Sequence, residues 1–158
     1  MVDFLVIGPR ASIICGNIFP LVKDRRIMLG SLRKDISFGD EGISCRWFQN
    51  IRSFDVDPLP LKEYNEGEYK KFDNFDAINI DKTKDIPSDY DGLMGVPLSF
   101  LDKWNKDQFE IVGLFCDTRN GKYLINGDSI YIDEGHKSYV GPVIDGKAFF
   151  ARLLIKRK

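Results

Sequence analysis

Two segments place aromatic rings directly beside hydrogen-bond donors: Arg46-Trp47-Phe48-Gln49-Asn50 and Tyr69-Lys70-Lys71-Phe72-Asp73-Asn74-Phe75. Such rings can stack on a base, while amides and cationic side chains hold phosphates or base edges. Lys147, Arg152 and Lys156 add cations near the end of the chain. With Trp47, Asn50, Lys70 and Lys71 they form the set of candidate nucleic-acid contacts. The same residue types also serve ordinary sheet packing, with an aromatic core on one face and a wet face opposite. Residue chemistry alone leaves both readings open.

Other chemistry is weaker. Asp85, Asp89 and Asp91 crowd into seven residues, as a metal or acid/base site would require. Their spacing follows no ligand pattern, so turn-forming and capping roles are expected instead. His136 is the sole histidine, and Cys15, Cys45 and Cys116 are far apart. A structural zinc site therefore lacks its ligands, and the cysteines read as reduced thiols of a cytoplasmic protein. The sequence contains no Gly-x-Gly-x-x-Gly, no phosphate-binding Gly-x-x-x-x-Gly-Lys-Ser/Thr and no His-Glu-x-x-His. No catalytic, cofactor-binding or metal-ligating residue is assigned.

The elements that must position these groups are mostly strands. Asp3 to Gly8 is a continuous apolar run ending in glycine, the pattern of a strand buried on both faces in a parallel sheet. Such a strand needs neighbours on both sides. Asn17 to Lys23 reads as a helical turn broken by Pro20, and Arg26 to Gly30 as a short strand. Residues 31–42 read as a loop. Ile43 to Ile51, Phe75 to Ile80 and Phe109 to Phe115 read as strands, with an acidic, irregular stretch from Asp55 to Lys71. Asn126-Gly127 and Asp145-Gly146 are hairpin dipeptides, because both central residues of a tight hairpin turn need positive φ. A long terminal strand should follow the second.

Asp85 to Asn105 is the least periodic stretch, with two prolines, two glycines and four acids. It reads as backbone punctuation through which neither helix nor strand can run, until Pro97 opens a short helix carrying Leu98 and Leu101. The fold class expected is α/β to α+β: a mixed sheet, few short helices, and hairpins toward the C-terminus. The 158 residues suit one domain spanning 1–158, and no apolar run approaches the ~20 residues a membrane-spanning helix needs.

Net charge is −1, but its distribution is uneven. Residues 55–91 carry five Lys/Arg against eleven Asp/Glu, whereas 137–158 carry six against one. A basic end is either an electrostatic footprint for nucleic acid or an edge strand kept soluble by lysines.

The chain resembles the C-terminal half of the EcoRI-like family of adenine-specific DNA methyltransferases. The resemblance runs through Phe4-Leu-Val-Ile-Gly, Ile18-Phe-Pro-Leu-Val-Lys-Asp, Arg46-Trp-Phe-Gln-Asn and Tyr69-Lys-Lys-Phe-Asp-Asn-Phe-Asp-Ala-Ile. It is densest from Asp85-Ile-Pro-Ser-Asp-Tyr-Asp-Gly to Glu110-Ile-Val-Gly, and returns in Lys147-Ala-Phe-Phe-Ala-Arg-Leu-Leu-Ile-Lys.

The resemblance implies a restriction-modification enzyme that moves a methyl group from S-adenosylmethionine to adenine in duplex DNA, with part of a Rossmann-type methyltransferase sheet. The family's Asn/Asp-Pro-Pro-Phe/Tyr motif and its glycine-rich cofactor motif precede the segment matched by Phe4 to Gly8. Neither is in this sequence, which has no Pro-Pro. The chain is therefore expected to be inactive alone, to bind no S-adenosylmethionine by itself, and to carry target-recognition surface. Its expected partners are duplex DNA and an upstream catalytic half, with no membrane; an exposed sheet edge would also permit a homodimer. Two other readings stay open: a non-catalytic interaction domain of shared ancestry, and part of an RNA methyltransferase.

Overall fold

The computed structural model describes residues 2–15, 17–30, 36–38, 43–51, 56–115, 123–125, 128–130 and 141–158. The chain divides into two compact units, Met1–Asp55 and Val56–Lys158.

In the first unit, β1 (Leu5–Pro9) runs into a 3-10 turn (Arg10–Ile14), followed by α1 (Phe19–Lys23) and β2 (Met28–Leu29). Pro20 does not break the helix. It lies in the first turn, where its missing N–H has no helical acceptor to lose. The three residues Ile36–Phe38 form β3 within the stretch read as a loop, because they pair with Ile43–Cys45 of β4 (Ile43–Gln49). The rest of 31–42 lies outside the described residues. β4 is the centre of this sheet, with β1 antiparallel along one side (Leu5 opposite Gln49, Pro9 opposite Cys45) and β2 and β3 along the other.

The expectation of a doubly buried parallel strand at residues 3–8 fails. β1 is antiparallel, and Leu5, Val6 and Ile7 are 54%, 50% and 39% exposed, with Val2 at 85%. The apolar run is there, but among the described residues β4 alone flanks it.

The second unit is built on a seven-stranded sheet. Its strands are β5 (Lys71–Phe72), β6 (Phe75–Asn79), β7 (Met94–Pro97), β8 (Phe109–Phe115), β9 (Tyr123–Ile125) and β10 (Asp128–Ile130). A separate hairpin, β11 (Val143–Ile144) with β12 (Lys147–Ala148), precedes the last sheet strand, β13 (Arg152–Arg157). The order is β10-β9-β8-β13-β7-β6-β5, with β6 and β7 parallel and the other neighbours antiparallel. This is the expected mixed sheet, with few short helices and C-terminal hairpins.

Three local readings change. Met94–Pro97 is a strand, not punctuation, and its residues are covered because β6 and β13 flank it. Gly95 serves packing: a Cβ there would lie 2.6 Å from the Phe72 ring. Leu98–Asp102 winds as a 3-10 turn that buries Phe100 edge-on against Phe109, with ring centroids 5.6 Å apart. The terminal strand is interrupted at 149–151, dividing β12 from β13.

Asp145 and Gly146 do take φ of 52° and 70°, as the turn between β11 and β12 requires. β9 and β10 pair as a hairpin, although Asn126-Gly127, like Cys116 and His136, lies outside the described residues. One face of the sheet is sealed by Phe72, Ala77, Val112, Phe115, Ile144 and Leu154. Phe115 holds Phe72 and Phe75 at centroid distances of 5.3 and 5.2 Å.

Candidate nucleic-acid interface

Strands β6 and β7 are parallel, so their carboxyl ends point the same way. In open α/β sheets that end is where polar side chains gather for function. Here β6 ends at Asn79, the chain continues to Asp81, and β13 begins opposite Pro97 with Arg152. The three form one node: Arg152 Nε donates to Asn79 Oδ1 at 2.9 Å, Asn79 Nδ2 donates to Asp81 Oδ1 at 2.8 Å, and the guanidinium reaches Asp81 at 3.5 Å. Arg152 is buried, and Phe149 covers its guanidinium at 4.6 Å from the ring centroid. Burial pushes the Arg152 pKa down, and Asp81 opposes that shift. With a guanidinium's pKa so far above neutrality, the residue stays charged.

Beside the node, the β11–β12 hairpin is pinned to the turn between β5 and β6. Asp73 accepts the Gly146 N–H at 2.7 Å, and the Asp73 N–H donates to the Val143 carbonyl at 2.8 Å. Asn74 accepts the Val143 N–H at 3.1 Å and donates to the Gly141 carbonyl at 2.9 Å. Lys70 pairs with Asp145 in the hairpin turn, which raises the Lys70 pKa, and the Lys70 carbonyl accepts the Asn79 N–H at 2.7 Å. Lys70, Lys71 and Lys147 are exposed on these adjoining elements. Phe150 stands next to Arg152 in the interruption before β13, 82% exposed, with its ring 6.1 Å from that of Phe149.

The structure thus puts Lys70, Lys71 and Lys147 on β5, the residue before it and the hairpin bonded to the β5–β6 turn, and buries Arg152 in the node. Lys156 is on the same strand as Arg152 but four residues further along, about 13 Å away. There it is exposed and sits opposite Glu110. Trp47 and Asn50 belong to the first unit. Trp47 is half-buried on β4, its carbonyl accepts the Gly30 N–H at 3.0 Å, and a Cβ at Gly30 would lie 2.6 Å from the Trp47 Cβ. The Asn50 amide is engaged with the backbone leading into β1: it accepts from the Phe4 N–H at 2.7 Å and donates to the Val2 carbonyl at 3.1 Å.

Sequence reasoning overlooked Asn79, Asp81, Phe149 and Phe150. A polar pair closing an apolar strand, Asn79-Ile80-Asp81, was the available signal. It also overlooked a second aromatic group, where Tyr64 stacks on Tyr69 at 5.4 Å and lies 4.9 Å from Tyr90. Burial raises the pKa of Tyr69 and of Tyr90. The acid Asp89 acts structurally there, accepting the Tyr64 N–H at 2.6 Å.

The family described as adenine-specific methyltransferase EcoRI matches residues 40–158. The chain is 37% identical over 183 aligned residues to the type II methyltransferase M.EcoRI of Escherichia coli, a match covering 98% of this chain and 50% of that protein. It is 30% identical to the type II methyltransferase M.MgeORF184P of Mycoplasma genitalium, covering 99% of this chain and 57% of the relative. M.MpnI of Mycoplasma pneumoniae is 28% identical with the same coverage. The chain thus spans about half the length of the curated relatives it matches. No solved structure matches it.

Proposed function

Because this chain belongs to the EcoRI family of adenine-specific methyltransferases, we propose that it forms the target-recognition side of an enzyme that methylates adenine in duplex DNA. The whole enzyme moves a methyl group from the sulfonium of S-adenosylmethionine to the exocyclic amine of an extrahelical adenine, and the amine loses a proton. This chain holds and orients DNA for that transfer. It acts with a catalytic half, in the cytoplasm, as part of a restriction-modification system.

The observation that carries this reading is the family match across 40–158, which contains the basic face of Lys70, Lys71 and Lys147. The exposed ammonium groups of Lys71 and Lys147 suit phosphates, and Lys70 joins them by exchanging Asp145 for a phosphate. Phe150, exposed between Lys147 and Arg152, suits contact with a base. Arg152 is better placed to stiffen this corner than to reach DNA, because Asn79, Asp81 and Phe149 already surround it.

At the carboxyl end of β6, Asn79 and Asp81 bond to each other and to Arg152 of β13. No step of the methyl transfer is assigned to them. Among the described residues, no helix is long and apolar enough to cross a membrane.

The test is an assay of the chain alone. Calorimetric titration with S-adenosylmethionine should give no binding, and labelled methyl groups should not reach adenine-containing duplex DNA. The duplex itself should bind, and more tightly than an RNA duplex of the same sequence. Adenine methylation by the isolated chain, or a preference for RNA, would overturn the reading.

A further inference from the structure

Resting on the reading above, we propose that Phe150 is a DNA-stacking residue: its ring covers a base face that the target adenine uncovers on leaving the duplex. Phe150 is 82% exposed, and no other large apolar side chain described in the second unit stands so far into solvent. The remaining exposed ones, Val2, Leu5, Val6, Ile7 and Ile51, all belong to the first unit. A protein partner is met by a contiguous apolar patch. A lone ring beside cations is instead the pattern of nucleic-acid binding, where every base offers a π-face to stack on.

The backbone that carries the ring is anchored on both sides. Before it, the Phe149 N–H donates to the Pro142 carbonyl at 2.7 Å, and the Phe149 ring lies against the Arg152 guanidinium. Phe149 also packs on the cluster that includes Phe115 and Leu154. After it, β13 begins at Arg152, whose buried head is held by Asn79 and Asp81. The segment is thus ordered before a base arrives, which lowers the entropy lost on contact. Its surroundings suit a polyanion. Lys147 is exposed three residues earlier, at most about 11 Å along the chain. A phosphate on Lys147 and a base on Phe150 are within reach of one DNA strand. Residues 137–158 carry six Lys/Arg against one Asp/Glu, so little charge there repels it.

The experiment measures binding of the full chain to a labelled duplex and to the same duplex carrying one abasic site. An abasic position leaves base faces already uncovered, so the wild-type chain should bind that duplex about 10-fold more tightly. Phe150→Ala should abolish this preference. It should leave the slope of log affinity against log salt unchanged, because no cation is lost. Phe150→Trp should restore the preference, since stacking accepts one ring in place of another. The denaturation midpoint of Phe150→Ala should match wild type, because the ring is exposed.

An abasic preference that survives F150A would overturn the stacking contact, and so would an F150W chain that fails to restore it. A salt slope changed by F150A would make the loss electrostatic, and overturn it too. The wild-type chain separates the two claims. If it binds both duplexes equally, with the salt slope of a phosphate-binding surface, only the stacking contact falls. If it binds neither, the reading beneath it falls as well.

Discussion

Leu5-Val-Ile in β1 and Leu153-Leu-Ile in β13 are nearly the same words, and they meet opposite fates. The first is about half exposed at each residue, while the second has no accessible surface. β13 is paired on both edges, by β7 and β8, and Leu154 packs into the aromatic cluster around Phe115. β1 has β4 on one edge. An apolar run therefore states a demand for burial, and only the neighbours brought by the rest of the chain, or by a partner, satisfy it. The two strands separate apolar residues that this chain buries from apolar residues that it leaves exposed.

The largest effect should divide the strands. Leu154→Ala removes packing from a closed core and should lower stability by about 2–5 kcal/mol, whereas Leu5→Ala should change it by less than about 0.5 kcal/mol. Urea denaturation measures both, and equal losses would erase the distinction. Glycine gives a smaller version of the contrast. Gly95→Ala drives a methyl to 2.6 Å from the Phe72 ring inside the closed sheet, and should cost about 1–3 kcal/mol. Gly8→Ala meets Phe48 at 3.2 Å under the open strand, and should cost visibly less in the same experiment.

The smallest effect belongs to the surface. Lys62 and Glu68 pair at 2.7 Å, and the hydrogen bond from Lys62, then that from Asn65, lowers the Glu68 pKa below its ordinary 4.5. Any stabilisation is thus present above pH 4.5 and fades as pH falls through the lowered value. Both groups are exposed to solvent, so Lys62→Met should leave the melting temperature unchanged at pH 7 and at pH 3 alike. A clear loss confined to pH 7 would make the pair a structural element.

Much of the fold was legible where one stretch of chain decides its own conformation. Phe109 to Phe115 reads and folds as a strand, and Asp145-Gly146 turns as its residue types require. The failures share a cause. Met94–Pro97 looked like a break because Gly95 and Pro97 are poor strand formers, yet Gly95 is there for the ring of Phe72, twenty-three positions earlier. The terminal strand looked continuous, but Phe149 leaves the alternation to cover Arg152. Arg152 read as a surface cation, while Asn79, its hydrogen-bond acceptor, lies 73 positions away. Asn50 read as a free amide, and its donor and acceptor lie 46 and 48 positions away. Lys70, Lys71 and Lys147 were legible as cations; that a hairpin pinned by Asp73 and Asn74 would bring Asp145 to Lys70 was not.

The claim that Lys70, Lys71 and Lys147 face DNA is tested most directly by the salt dependence of binding. Fluorescence anisotropy of a labelled duplex should give a log affinity that falls linearly with log salt concentration, because each phosphate neutralised releases counterions. Replacing Lys70, Lys71 and Lys147 together by Gln should flatten the slope by about 2–3 units, close to one for each cation removed. Wild-type affinity that ignores salt, or a slope that survives the triple substitution, would contradict the account.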